Sequence, residues 1–81
     1  MFKEGEYLFA TQEGVTEEEL RTLFGEYEII KLSPLIVRDR SFLLVVKNDP
    51  GLAAMENKVS AFGRIRYIER NQILQKYKTK P

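Results

Sequence analysis

Hydrophobic and polar positions divide this chain into four strand-like stretches and two helical ones. Residues 6–11 (EYLFAT) have high β-propensity and apolar side chains of both parities, which predicts a first strand covered at least partly on both faces. Residues 28–36 (EIIKLSPLI) predict a second strand. Pro34 cannot donate to a ladder, so this strand lies at an edge or contains a bulge. Residues 41–47 (SFLLVVK) are typical of a central strand, and residues 65–69 predict the last one.

The two stretches between the strands have helical spacing. Thr16 and Glu19 form a capping-box pattern at the start of the first, with acidic residues in the first turn and Gly25 at the expected end. Asp49 can cap the second helix and Pro50 suits its first position, while Gly63 ends the run. The apolar positions of the two helices are Val15, Leu20, Leu23 and Phe24, then Leu52, Met55, Val59 and Phe62.

The predicted order β-α-β-β-α-β has a well-known solution. Two β-α-β halves interleave into a four-stranded antiparallel sheet with both helices on one face, the ferredoxin-like α+β arrangement. The first and third strands are expected at its centre. We predict one domain, with a globular core over residues 1–72 and an extended C-terminal tail over residues 73–81.

Composition argues against an enzyme. The 81 residues include no His and no Cys, which removes the usual general base, the usual metal ligands and any disulfide. The glycines are isolated and form no phosphate-binding loop. No catalytic residue, metal or cofactor is therefore expected. No apolar run approaches the roughly 20 residues of a membrane span, and no signal peptide is present at the start of this chain.

Net charge is +1 but unevenly distributed. Residues 1–28 carry two basic and eight acidic side chains, whereas residues 64–81 carry six basic and one acidic. This distribution fits either simple dipolar solubility or steering of the tail toward an acidic surface.

The predicted central strands have apolar residues on both faces, yet the two helices can cover only one. An uncovered apolar sheet face usually marks a contact surface. We assign the sheet interface to Tyr7, Phe9, Phe42, Leu44, Val46 and Tyr67. The alternating set of Leu8, Leu43 and Val45 is also apolar, so the sequence leaves open which of the two faces is uncovered.

Two families use such a sheet face. The stretch YLFATQEGVTEEELRTLFGEY resembles the start of an RNA-recognition motif, in which Tyr7 or Phe9 and Phe42 would stack on bases. The third strand, SFLLVVK, has Leu44 and Val46 where that motif has a further aromatic residue. The whole chain resembles the N-terminal prodomain of a subtilisin-like serine protease, most specifically in EYLFATQEGVTEEEL and FGRIRYIERNQILQKY.

The second resemblance implies concrete roles. Such a prodomain is a folding template and then an inhibitor of its protease, and its sheet packs on two surface helices of the enzyme. Glu69 falls where the family places a carboxylate that caps one of these helices. At the position of Asn71 the family often has an Asp that also caps a helix. The amide oxygen of Asn71 could accept the same hydrogen bond, but it lacks the negative charge.

The tail would enter the substrate cleft as an added strand. The cleft-binding residues implied by the resemblance are Ile73, Leu74, Gln75, Lys76 and Tyr77. Tyr77 falls just before the autocleavage point and Leu74 would fill a second apolar pocket. Cleavage after Pro81 is the other possibility, although it would place Pro81 and Lys78 at the apolar pockets.

We therefore expect a non-catalytic propeptide that acts as intramolecular chaperone and substrate-like inhibitor. Its expected partner is a cognate subtilisin-like protease domain, with no nucleic acid, membrane or small-molecule substrate, in a secreted or periplasmic setting. The alternatives are an RNA-recognition-type domain that binds single-stranded RNA, a stand-alone protease inhibitor and a structural interaction module.

Overall fold

The structure is a computed structural model that describes residues 2–72. The strands are β1 (Phe2–Thr11), β2 (Ile29–Pro34), β3 (Ser41–Val46) and β4 (Ile65–Gln72), and the helices are α1 (Glu17–Phe24) and α2 (Leu52–Phe62). Short 3₁₀ turns cover Gly25–Tyr27 and Val37–Asp39. This is the predicted βαββαβ order. Neither helix of the described region has the length and apolar character that crossing a membrane requires.

The four strands form one antiparallel sheet in the order β2-β3-β1-β4. β1 and β3 are therefore the central strands, as their apolar sequences predict. Tyr7 lies opposite Leu44 across this central pair, and Phe9 lies opposite Phe42. The ferredoxin-like fold predicted from the order of elements is confirmed.

The edge position predicted for β2 from Pro34 is also confirmed. A register shift separates Ile29 from Lys31, where β2 carries an extra residue relative to β3. Such bulges twist an edge strand and make it a poorer template for pairing with other chains. β4 forms the other edge and extends three residues beyond the predicted end, to Gln72.

Both helices pack on the same face of the sheet. Phe9 is completely buried and its ring lies 5.4 Å from that of Phe24 on α1 and 5.3 Å from that of Phe42 on β3. Such aromatic contacts add to the burial of apolar area that stabilises the core. The buried core consists of Tyr7, Phe9, Leu20, Phe24, Leu32, Leu44, Val46, Met55, Val59 and Ile68.

The helix ends test the local predictions. The capping box at α1 is confirmed, since Thr16 Oγ1 accepts from Glu19 N at 3.1 Å while Glu19 Oε1 accepts from Thr16 N at 3.0 Å. Gly25 is not a left-handed terminator, because its φ of −63° is right-handed and the chain continues into a 3₁₀ turn. Gly63 does end α2, with φ +80° and its N–H donated to Val59 O at 2.9 Å.

The start of α2 differs from the prediction. The helix begins at Leu52 with Gly51 as its N-cap, and no side chain caps it. Asp49, expected to cap this helix, instead accepts hydrogen bonds from β1, β4 and the turn itself. The carboxylate is drawn to more distant donors that would otherwise be left unsatisfied.

Gly5 interrupts the regular part of β1. Its φ is +80°, and a Cβ atom at this position would lie 2.7 Å from the carbonyl oxygen of Val46. The ladder between β1 and β4 is irregular here, since Phe2 pairs with Gln72 and the next pair is Tyr7 with Arg70. Glycine permits both the left-handed backbone and the close approach of β3.

Gly5→Ala is therefore expected to destabilise the domain more than Gly63→Ala. Both positions have φ +80°, but nothing lies within 4 Å of a Cβ at Gly63. The Gly63 substitution should cost about 1 kcal/mol of backbone strain, and the Gly5 substitution about 2 kcal/mol or more because a fixed backbone oxygen must also move. Urea denaturation of both variants measures the difference, and equal losses would show that the contact with Val46 is not limiting.

Candidate functional site

The sheet face opposite the helices is the candidate site. Because side chains alternate along a strand, residues between the core positions point to this face. We call it the open face, and define it by Glu6, Leu8 and Ala10 on β1, Lys31 and Ser33 on β2, Leu43 and Val45 on β3, and Tyr67, Glu69 and Asn71 on β4. Ala10 is fully buried, and the other residues of the open face are half-buried or exposed. None of them belongs to the core cluster beneath the helices or to the apolar side chains packed against it.

The register arranges the open face in cross-strand rows. The middle row runs from Ser33 through Leu43 and Leu8 to Glu69. On one side of it, Lys31, Val45 and Glu6 lie opposite one another, and on the other side Ala10 pairs with Tyr67. The face thus has an apolar centre on the two middle strands and polar groups toward its edges. This pattern of apolar core and polar rim is the one that protein interfaces have.

Exposure differs across the face. Leu8, Leu43 and Val45 are half-buried by one another and by their neighbours. Tyr67 is 46% exposed, which is high for an aromatic residue in a strand. Since no helix of the described region packs here, these apolar side chains contact solvent in the isolated domain.

The two carboxylates of the open face are in different environments. Glu6 accepts a hydrogen bond from Asn71 Nδ2 at 2.8 Å. Glu69 is exposed, and it forms no hydrogen bond or ion pair with the described residues. Its carboxylate therefore projects beside the apolar centre, where it can accept N–H groups of another molecule.

The structure corrects the sequence-based sheet interface. Tyr7, Phe9, Leu44 and Val46 are 0–3% exposed, and they lie in the core under the helices. Phe42 is half-buried and packs against that core. Placing these five residues on the uncovered face was wrong, and only Tyr67 of the assigned set lies there. The same burial removes Tyr7, Phe9 and Phe42 as rings for stacking on RNA bases.

The error has a physical origin in the two central strands. Both parities of β1 and β3 are apolar, so hydrophobicity alone does not tell which set faces the helices. The charged residues of the same strands offered a signal, because side chains two residues apart on a strand lie on the same face of the sheet. Glu6 lies on the same face of β1 as Leu8. Lys31 on β2 and Glu69 on β4 lie on that same face of the sheet. On β1 and β2, charged residues at that parity mark the side that no helix covers. β4 does not give this signal, because Arg70 lies opposite the buried Tyr7 on the helix-covered side.

The other predicted contact residues fall into two groups. Glu69 and Asn71 lie on the open face of β4, and Asn71 is held there by its bond to Glu6. The bond to Glu6 uses one of the two N–H donors of the Asn71 amide, so its side-chain oxygen and its second N–H remain to be offered to a partner. The cleft-binding assignments at Ile73, Leu74, Gln75, Lys76 and Tyr77 lie outside the described residues, as does the predicted tail as a whole.

A polar cluster around Asp49 supports this face from the other side of the sheet. Asp49 Oδ2 accepts from Gly5 N at 2.8 Å and from Arg70 Nη1 at 3.1 Å. Its Oδ1 accepts from Tyr7 Oη and from Gly51 N, the latter at 2.9 Å. The Arg70 guanidinium also lies 5.3 Å from the centroid of the Tyr7 ring. Sequence reasoning missed this cluster because Gly5 and Tyr7 precede Asp49 by 44 and 42 residues.

Burial and hydrogen bonding in this cluster shift the pKa values of Asp49 and Tyr7. Burial raises the pKa of Asp49, but the hydrogen bonds from Tyr7, Gly51, Gly5 and Arg70 outweigh it and lower that pKa from 3.8 to about 2. Burial, and then the bond to the Asp49 carboxylate, raise the pKa of the Tyr7 phenol well above its usual value. Asp49 is therefore ionised and Tyr7 protonated throughout the physiological range.

The arginines near the C-terminal end of the domain are used within the fold. Arg64 pairs with Glu19 at 3.2 Å, and Arg70 with Asp49. Arg66 donates to the main-chain carbonyls of Thr11 and Asp39. Half of the six basic residues in the 64–81 segment thus have structural partners, which weakens the interpretation of this segment as a free steering charge.

Comparisons of the chain with protein-family models, with curated proteins and with solved structures found no match.

Removal of the Asp49 charge tests the cluster. In Asp49→Asn the Arg70 guanidinium loses its buried counter-charge, and we expect a loss of about 3 kcal/mol of unfolding free energy at pH 6. Because the folded pKa of Asp49 lies below its unfolded value, its contribution is complete above pH 3.8 and is lost as the pH falls toward 2. The drop from 3.8 to about 2 corresponds to about 2 kcal/mol.

Urea denaturation of both proteins from pH 6 to pH 2 measures this effect. The difference in unfolding free energy between the wild type and Asp49→Asn should become smaller as the pH falls. Glu17→Gln is the matched control, since it removes a carboxylate from the exposed pair with Arg21 on α1 and should cost little at any pH. A gap that stays constant with pH would contradict the role assigned to the Asp49 charge.

Proposed function

We propose that this protein is a propeptide of a subtilisin-like protease, acting as its folding chaperone and as a substrate-like inhibitor. The observation that supports the proposal best is the open face itself. It is an apolar sheet surface, uncovered by the described helices, with the exposed carboxylate of Glu69 at its margin. A partner that presents two surface helices would cover the apolar centre and satisfy this carboxylate.

The chemistry of Glu69 suits that partner. A helix N-terminus presents N–H groups without intrahelical acceptors and a positive end of the helix dipole. A carboxylate with no partner among residues 2–72 gives up only water there when it binds such a helix end. Leu8, directly opposite Glu69 on β1, would at the same time contact the side of the helix. The apolar contact and the charged contact are thus adjacent in one row of the sheet.

The size of the open face indicates that a second contact is needed. Four strands about 4.8 Å apart and about six residues long, at 3.3 Å each, present roughly 400 Å². A specific interface buries about 800 Å² on each partner. We propose that the tail provides a further part by adding a strand in the substrate cleft. β4 belongs to the open face and leads directly into the tail sequence, so one strand links the two contacts.

Chaperone and inhibitor activity follow from the same binding. A domain that binds the folded protease, and not its unfolded chain, shifts the folding equilibrium of the protease by mass action. The rigid sheet loses little conformational freedom on binding, so more of the contact energy is retained as affinity. Occupation of the cleft then blocks substrate.

Deletion of the tail is the first test. We expect the full chain to inhibit members of a panel of purified subtilisin-like proteases, and residues 1–72 alone to inhibit at least 100-fold more weakly. The expected factor follows from the loss of two pocket-filling apolar side chains, at about 1.5–3 kcal/mol each. Inhibition constants measured with a chromogenic peptide substrate report the difference, with circular dichroism to establish that both proteins fold. No inhibition by the full chain of any protease in the panel would refute the proposal.

Substitution on the open face is the second test. Glu69→Gln removes the charge but retains the shape, and we expect about tenfold weaker inhibition because a carboxylate at a helix N-terminus contributes up to about 2 kcal/mol. Glu56→Gln is the matched control, because Glu56 is an exposed carboxylate on α2, on the opposite side of the domain. An equal effect of the two substitutions on the inhibition constant would indicate general electrostatics and not a contact at Glu69.

A further inference from the structure

A turn with exposed apolar side chains joins β2 to β3. Leu35 is 50% exposed, Ile36 52% and Val37 80%. We call these three residues the turn apex. Val37 is the most exposed of the large apolar side chains described. Three consecutive apolar side chains in water are unfavourable unless another surface covers them.

The turn apex is held in one conformation. Leu35 N donates to Ser41 O at 2.9 Å, and Ile36 N donates to Ser41 Oγ at 3.1 Å. Arg40 N donates to Val37 O at 3.0 Å and Ser41 N to Ile36 O at 3.3 Å. From β4, Arg66 donates to the carbonyl of Asp39.

Arg40 closes this turn at φ +55°, a left-handed conformation that favours Gly or Asn. The hydrogen bonds of the turn hold the backbone with the apolar side chains displayed, which lowers the conformational cost of binding a partner.

The turn apex continues the open face. The bond from Leu35 to Ser41 extends the row in which Ser41 pairs with Ala10 and Ala10 pairs with Tyr67. Tyr67, the exposed aromatic residue of the open face, therefore lies at the same end of the sheet as the apex. A partner that lies flat on the open face and reaches this end meets both.

Charge favours a protein as the partner. Around the apex lie three arginines, Arg38, Arg40 and Arg66, against the single carboxylate of Asp39. The same surface carries Glu6 and Glu69 further along the sheet. An anionic membrane would attract the arginines but repel these carboxylates when the face lies flat on it. A protein surface can instead provide an apolar cleft with an acidic rim next to the apex and helix N-termini next to Glu69.

We infer that the turn apex is a second docking element, which inserts Ile36 and Val37 into an apolar, acid-rimmed cleft on the protease that binds the open face. The inference rests on the proposed function for the identity of the partner. It assigns this role to a segment outside both the open face and the tail. It also explains why exposed apolar residues occur on a rigid turn.

The test compares inhibition constants for the full chain and three substituted full chains against the protease of the panel that the wild type inhibits most strongly. Val37→Ser and the double substitution Ile36→Ser with Val37→Ser should weaken inhibition about tenfold or more, because buried apolar area is lost from the complex. Ile30→Ser is the matched control. Ile30 is 65% exposed on the same strand, at the bulge near its opposite end, and its substitution should change inhibition less than twofold.

The outcomes separate the two proposals. If the wild type inhibits and the apex variants inhibit equally well, the second docking element is refuted while the proposed function stands. An equal loss in Ile30→Ser would also refute it, because the effect would not be specific to the apex. If the wild type inhibits no protease, both proposals fail. Val37-dependent co-sedimentation of the full chain with phosphatidylglycerol vesicles, without an effect of Val37 on inhibition, would assign the apex to a membrane surface and overturn the inference.

Discussion

The fold depends on one carboxylate. Asp49 accepts hydrogen bonds from β1 through Gly5 and Tyr7, from β4 through Arg70, and from the turn before α2 through Gly51. These contacts fix the irregular start of β1, so that Tyr7 faces the helices and its neighbour Leu8 faces away. A group on the other side of the sheet thus supports the position of β1 from which Leu8 projects onto the open face. A nearly buried charge with four donors is strongly constrained, because its acceptors must be carboxylate oxygens and the short Asp side chain already reaches all four donors from this turn.

Hydrophobic spacing was sufficient to predict the elements and their order. The capping box at Thr16, the proline in β2 and the apolar run of β3 are local signals, and the ferredoxin-like arrangement satisfies all of them. The assignment of faces failed because it depends on long-range register. Leu43 and Leu44 are equally apolar neighbours, yet one lies on the open face and the other in the core. Their hydrophobicity does not distinguish them, whereas the packing of the helices on the Leu44 side does.

The residues of the candidate site were likewise predicted where the signal is local and missed where it depends on residues far away in the sequence. Glu69 was identified from sequence and is exposed on the open face, where a partner could reach it. Asp49 was interpreted as a helix cap, since its neighbours Pro50 and Gly51 gave no sign of the distant donors that it binds. Leu35 and Ile36 were predicted as the end of the second strand, because their apolar side chains continue its pattern, whereas the structure ends β2 at Pro34. Patterns of single residues along the chain do not reveal interactions between residues far apart in sequence.

The pairing of Phe2 with Gln72 has a mechanical consequence. β1 and β4 are antiparallel neighbours, and the start of one lies beside the end of the other. A force that separates these two residues would break the paired residues of β1 and β4 one after another. It would not load all of the pairs at the same time, as a force along the strands would. The pairing of β1 with β4 should therefore open under a low force, beginning at this corner and proceeding until it meets the Asp49 cluster.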